Sequence, residues 1–315
     1  MRLFFASDLH GSEVVSNKLV NAALFYNVKN IVVGGDLAGK VLIPILKEGS
    51  KYRLNLYGEQ KLVKEGELKD IEKELSDSGE YFRVMERSEY EEAVGDKAII
   101  EKLFKEEMLK RLSSFLEKAE EKLKPMETRL YIMPGNDDYE EVGKFLEEHS
   151  SDVIIPIDQK VVDAEGYDLL GYGYSNITPW HTPREKDEDS IYKDLEKLAG
   201  GIDSKSIFAI HVPPYGTKID KAPRLDKEMR QVMNLGDMDY APVGSKSVRR
   251  FIEEHAPIVG LHGHVHEASG IDFIKAKNGS EVPVINPGSA YSSGILNGAI
   301  IEISNKLEKY VFTKG

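Results

Sequence analysis

The run Gly260-Leu261-His262-Gly263-His264-Val265-His266-Glu267 decides how this chain is read. Ahead of it, Pro257 to Leu261 is short and apolar, the pattern of a buried strand. The strand ends at Gly263, and His264 and His266 follow with one residue between them. Alternate side chains of extended backbone point the same way, so both imidazoles aim at one place beyond a strand end. Paired imidazoles there suit a divalent metal, although the same pair alone also makes an ordinary polar turn. The decision rests on what the other strand ends carry.

Four of them carry matching chemistry. The apolar run Arg2 to Ser7 stops at Asp8-Leu9-His10-Gly11. A helix is expected next, with Ser12 as its cap and Val15, Leu19, Ala22, Ala23 and Tyr26 on one face. Asn30 to Gly34 leads into Gly35-Asp36, Arg129 to Pro134 into Gly135-Asn136-Asp137-Asp138, and Ser206 to Ile210 into His211. Strand, helix, strand in this space reads as a βαβ unit, whose chemistry sits beyond the carboxyl ends of its parallel strands. Turn chemistry explains any one Asp or Asn after a strand, but not five ligand-type ends in one chain.

Residues 41–125 break the rhythm. Leu42 to Leu46, Tyr52 to Leu56 and Lys61 to Lys64 read as a meander, followed by a charged helix from Glu67 to Leu75 and a strand from Tyr81 to Met85. A long amphipathic helix is expected from Ala98 to Leu123, with Glu101–Lys105 and Glu106–Lys110 pairs at i,i+4. This block is read as an insertion that either caps the site or mediates interaction. Helices are also expected over 139–149, 190–199 and 244–255. The late strands, Gly270 to Ala276, Val282 to Asn286, Ala299 to Ser304 and Glu308 to Thr313, have no helices between them and are expected to be antiparallel. The fold class is therefore α+β: a four-layer αββα sandwich of two mixed β-sheets flanked by helices, over 1–315 with 41–125 inserted.

Composition narrows the function. Lys plus Arg total 42 against 54 Asp plus Glu, a net charge of −12, which disfavours polynucleotide as the partner. There is no cysteine, so a metal must be held by His, Asp, Glu, Asn or backbone. No apolar run is long enough to span a membrane and no signal-peptide pattern opens the chain, so a cytoplasmic protein with no membrane partner is expected. Glutamine occurs only at Gln60, Gln159 and Gln231, while Lys and Glu abound, a thermophile-like balance.

The ordered series Asp8-x-His10, Gly35-Asp36, Gly135-Asn136, His211 and Gly263-His264-x-His266 resembles the calcineurin-like metallophosphoesterase superfamily. Asn286-Pro287-Gly288-Ser289 resembles that family's late turn, and the likeness covers about residues 1–40 and 129–313. The resemblance implies two divalent ions, Mn²⁺ the first expectation, with Fe, Zn or Ni as alternatives. Asp8, His10, Asp36 and His266 would hold one; Asp36, Asn136, His211 and His264 the other, with Asp36 shared. It further implies hydrolysis of a phosphoester by a metal-bridging hydroxide, with Asp36, His10 and Asn136 as catalytic residues.

Two positions depart from the family pattern. Asp137 stands where many members have a histidine that protonates the leaving oxygen, and Gly39 where many have an Asp. An ordinary aspartate is a poor proton donor at neutral pH, so His10 or another group must donate, or the leaving group needs no help. That favours a phosphodiester or nucleotide-like small phosphoester over an alkyl monoester, and it makes Asp137 a candidate hydrogen-bond partner of a ligand histidine. In the long polar loop 175–185, Asn176, His181 and Arg184 are candidate substrate contacts. Lys218 to Arg230 reads as a solvated basic run, His262 as a strand end, and His149 and His255 as helix ends. Alternatives are a phosphomonoesterase, a nuclease of the same fold, and a non-catalytic metal-binding scaffold, with homo-oligomerisation through the insertion.

Overall fold

The computed structural model describes residues 1–202, 205–234 and 237–315. Two six-stranded sheets dominate it. The first runs Leu307–Lys314, Asn297–Ile303, Arg2–Ala6, Asn30–Val33, Arg129–Ile132, Ile154–Pro156. Its last four strands are parallel and the first two form an antiparallel edge. The second runs Gly270–Lys275, Glu281–Asn286, Val259–Leu261, Ser206–Ile210, Tyr167–Tyr172, Lys160–Ala164. Its middle four strands are parallel and both edges antiparallel.

The late strands pair antiparallel as expected, Gly270–Lys275 with Glu281–Asn286 and Asn297–Ile303 with Leu307–Lys314, with one parallel neighbour besides. Glu281–Asn286 lies parallel to Val259–Leu261 although no helix joins them. The strand Gly270–Lys275 carries the chain back to the sheet edge, and a hairpin returns it one place inward. An edge strand thus does the work of a crossover helix.

Alternation of side chains explains how the sheets pack. Leu3, Phe5, Val32 and Tyr131 of the first sheet meet Leu169, Ile207, Ala209, Val259, Leu261 and Ile285 of the second in one buried cluster. Phe4, Ala6, Ile31, Val33, Leu130 and Ile132 point the other way, onto the helix Glu13–Tyr26 and the long helix Lys97–Leu123. On the far side, Leu170, Phe208, Ile210 and Val284 pack on Ile191 and Leu195 of the helix Glu188–Ala199 and Phe251 of the helix Lys246–His255. Strands covered on both faces read as unbroken apolar runs, which is why they are legible in the sequence. Each such side chain contributes roughly 1.5–3 kcal/mol on burial.

Between the strands Asn30–Val33 and Arg129–Ile132 of the first sheet, a four-stranded sheet forms in the order Glu59–Lys64, Lys51–Leu56, Leu42–Glu48, Tyr81–Met85. It has its own small core of Ile45, Leu54, Leu56 and Leu75. The long helix starts on Asp96, whose carboxylate accepts from Ala98 N at 2.8 Å. Its buried stripe, Phe104, Met108, Leu112, Phe115 and Ala119, belongs to the cluster that covers the first sheet. A helix at Arg87–Gly95 has no sequence signature, because Ala93 alone of its residues is buried. Short ribbons at Lys221–Pro223 with Tyr240–Pro242 and Met233–Asn234 with Asp237–Met238 occupy the stretch without periodicity.

Candidate metal centre

The carboxyl ends of the parallel strands from both sheets converge, and pairing continues past them. Gly34 N donates to Ala6 O, Asp8 N to Gly35 O and His10 N to Asp36 O, each at 2.9 Å. In the second sheet Gly263 N donates to His211 O at 2.9 Å. These bonds fix the loops tightly enough to hold Asp8, His10, Asp36 and His264 at positive φ of 59°, 43°, 52° and 66°. Left-handed backbone at a non-glycine residue costs ~1–2 kcal/mol, and its concentration here marks a functional site. Gly35, at φ 116°, is required: a Cβ there would lie 2.5 Å from His211 Nδ1 and 2.8 Å from Gly135 Cα.

Asp8, His10, Asp36 and His266 place ligand atoms within 4.8 Å of one another. His10 Nε2 and His266 Nε2 are 3.0 Å apart, and His266 Nε2 is 3.4 Å from Asp8 Oδ1. Asp36 spans to the other group, with Oδ2 3.6 Å from His10 Nε2 and Oδ1 3.4 Å from His211 Nε2. Asn136 Oδ1 lies 2.9 Å from His211 Nε2 and 2.7 Å from His264 Nδ1. The seven residues singled out as ligands therefore meet in one place.

The supporting bonds orient them. His211 Nδ1 faces Gly34 O at 2.7 Å, which leaves Nε2 toward Asp36 and Asn136. His264 N donates to Asp8 Oδ1 at 3.0 Å. The late turn acts as a staple: Asn286 Nδ2 donates to Val265 O at 2.9 Å and Ser289 Oγ to Asp8 O at 2.7 Å. Buried His262 sets Nδ1 2.8 Å from Ile210 O, so it ties strand ends together.

Charge balance fits a cation. Burial works against ionised Asp8, but His266 and His211 outweigh it and hold the carboxyl at about 2. Burial also opposes ionised Asp36, which the neighbouring His211 and His10 hold well below the carboxylate range. Burial lowers His211, yet Asp36 outweighs it and raises the imidazole to about 9. Burial drives His10 down to about 3, so at neutral pH it has no imidazolium proton to give a leaving group. Its Nδ1 is buried without a partner, and its ring packs on Tyr291 at 4.5 Å. Two carboxylates, an amide oxygen and four imidazoles form a donor set for borderline divalent ions.

Other predicted residues fall differently. Arg184 is 1% exposed, with Nη2 2.6 Å from Asp158 and Nη1 3.0 Å from Glu140, and its guanidinium lies 3.9 Å over the Tyr174 ring. Its guanidinium is paired inside the protein rather than presented at the surface. Its backbone N donates to Asn136 O at 3.1 Å. Asn176 is anchored by Nδ2 to Val243 O at 3.2 Å. His181 is exposed, next to Thr182, whose hydroxyl accepts from Asn136 Nδ2 at 2.8 Å. Asp137 meets Lys40 in an ion pair and accepts from Asn136 Nδ2 at 3.2 Å, in place of the expected histidine. Its neighbour has the larger structural role. Fully buried Asp138 accepts from Leu37 N, Ala38 N and Gly135 N at 2.8–2.9 Å. Burial and the Asp36 charge push its carboxyl up to about 7, against those three donors. Lys40, Tyr291 and Asp138 escaped the sequence reading; the doubled aspartate after Gly135-Asn136 was the one available signal for Asp138.

Comparison with known proteins bears on the fold. No protein-family model matches the chain. The uncharacterized protein MJ1162 of Methanocaldococcus jannaschii is 35% identical over 158 residues, which are 49% of this chain. The match spans 62% of that relative's length, less than two thirds. One crystal structure superposes with a TM-score of 0.57 at 14% identity, covering 99% of this chain and 98% of its own. TT1561 of Thermus thermophilus superposes at 0.53 and 14% identity, covering 100% and 97%. The chain shares its overall fold with these two structures. The Asp8, His10, Asp36 and His266 cluster lies beyond the ends of the strands Arg2–Ala6, Asn30–Val33 and Val259–Leu261. No helix among the described residues is long and apolar enough to cross a membrane.

Proposed function

We propose that this chain is a metal-dependent phosphohydrolase acting on a small phosphodiester or nucleotide-like ester. The observation that carries the reading is the convergence of Asp8, His10, Asp36 and His266 within 4.8 Å, joined through Asp36 and Asn136 to His211 and His264. Divalent ions held by these residues, Mn²⁺ in the first instance, would supply Lewis-acid stabilisation of phosphoryl charge and acidify a water. The chain's own part is positioning. Asp36 holds its negative charge between the two histidine groups, and Gly34 O sets the His211 tautomer. Lys40 adds a fixed cation beside the centre for an anionic substrate.

The substrate class rests on proton supply. Asp137 is engaged with Lys40, and buried His10 is neutral at pH 7. With neither Asp137 nor His10 supplying a proton to a poor leaving group, diesters and activated esters are favoured over alkyl monoesters. A net charge of −12 weighs against polynucleotide. A cytoplasmic setting, the sandwich read as four αββα layers, and a role of residues 41–125 in covering the site or in self-association belong to the same proposal. The test is a panel of phosphomonoesters, phosphodiesters and cyclic nucleotides with several divalent ions, on wild type, Asp36→Asn and His211→Ala. Turnover of bis-p-nitrophenyl phosphate that needs added metal and falls by roughly 10³-fold in both variants supports the reading. Full metal content and full turnover in the variants refutes it. Absence of turnover across the panel points to the scaffold.

A further inference from the structure

A cavity of about 520 Å³ opens beside the centre, between the long helix and the core. Lys40 and Leu42 line one side, Ile100 and Phe104 of the helix another, Tyr139 and Pro183 a third. Small-molecule sites typically enclose about 300–1,000 Å³. Asp137 also lines this space, and its backbone N donates to Asp36 Oδ1 at 3.0 Å. The cavity wall is therefore one hydrogen bond from the carboxylate at the middle of the centre. Lys40 stands at the same junction. It is ion-paired with Asp137, near enough to bear electrostatically on Asp36, His10 and His266, and still 46% exposed.

The lining is chemically divided. The end nearest the centre carries the half-exposed Lys40 ammonium, paired on one side with the Asp137 carboxylate. Beyond it the walls are apolar and aromatic, with the Phe104 and Tyr139 rings 5.7 Å apart, and Lys97 and Glu101 complete the lining. Lys105 braces the Tyr139 wall, 2.9 Å from Glu141 and 4.8 Å over the Tyr139 ring. An occupant that fits has an anion at the Lys40 end and a flat, largely apolar body. The geometry points to this cavity as the subsite for the organic group of an aryl or nucleobase-bearing phosphoester, with Lys40 gripping the phosphate. The inference rests on the phosphohydrolase reading and deepens it, since it gives the long helix a part in substrate choice.

Calorimetric titration of the Mn²⁺-loaded full chain with inorganic phosphate and with adenosine 5′-monophosphate separates the two ideas. The nucleotide is expected to bind roughly tenfold more tightly than phosphate or better. Ile100→Trp, which fills the space, is expected to bring the two affinities together, and Lys40→Ala to weaken both. A second readout needs no variant. Acylation of wild-type lysines by acetic anhydride, followed by mass spectrometry, is expected to show Lys40 protected by either ligand and Lys97 by the nucleotide alone. Equal affinities in wild type, or Lys97 labelling indifferent to the nucleotide, overturns the subsite and leaves the phosphohydrolase reading standing. Failure of the metal-loaded chain to bind either ligand removes both.

Discussion

His10 Nε2 and His266 Nε2 stand 3.0 Å apart, on residues separated by most of the chain. Two imidazole nitrogens at that distance share at most one proton, so at least one lone pair is directed into the space that Asp8 and Asp36 also border. A divalent cation satisfies all four groups together. Dialysis against a chelator is expected to lower the thermal midpoint and added Mn²⁺ to restore it, because an ion that binds only the folded state stabilises that state. His10→Ala and His266→Ala should each carry less metal than wild type by mass spectrometry. A midpoint indifferent to chelator and metal would count against the centre.

Metal loading should also release a proton. His211 is raised to about 9 because Asp36 outweighs the effect of burial, so without a cation it is an imidazolium at pH 7.5. Metal ligation needs the neutral ring. Calorimetry in two buffers of different ionisation enthalpy is expected to show release of roughly one proton per site filled.

The same groups set how the metal-free protein responds to pH. His211, raised from 6.5 to about 9, contributes stability that is complete below pH 6.5 and lost as pH rises through 9. His10, lowered by burial from 6.5 to about 3, costs stability as pH falls from 6.5 toward 3. Asp8, lowered from 3.8 to about 2, adds a loss below pH 3.8. Midpoints of chelated protein should therefore decline on both sides of pH 6.5. Saturating metal should flatten the alkaline limb, where His211 no longer has a proton to lose.

Asp138→Asn keeps shape and loses one of the two acceptor oxygens. Three backbone N–H groups converge on this carboxylate, at 2.9, 2.8 and 2.8 Å. An amide NH₂ must face at least one of them, donor against donor. The expected destabilisation is on the order of 1–3 kcal/mol, read by urea denaturation. Turnover should fall too, since Asp138 ties the Asp36 loop to the Gly135 turn. Unchanged stability would show that the loops hold themselves.

Arg184→Met tests whether this arginine is structural. Its loss leaves Asp158 buried without its ion-pair partner, at a cost on the order of 3 kcal/mol. KM for a small phosphodiester is expected to stay within roughly twofold of wild type. A large rise in KM at unchanged stability would return Arg184 to the substrate.

How much of this was legible follows from where the information lies. The ligands could be read because each follows an apolar run covered on both faces, and because their order along the chain resembles that of a known superfamily. Both signals are local. Arg184 and Asp137 were read with the right neighbourhood and the wrong contacts. An exposed-looking arginine in a polar loop is indistinguishable in sequence from one that folds back onto Asp158 and Glu140.

Sequence alone determined which residues end the buried strands and which donors they present, since alternation and strand termination ahead of Gly35, Gly135 and Gly263 are properties of neighbours. Only the tertiary structure decided that Asp138 bridges two loops, that Lys40 neutralises Asp137, and that the long helix walls a cavity beside Asp36. The two members of each such contact lie dozens of residues apart, and burial, which sets both their charge and their availability, exists only once the sheets have closed on each other.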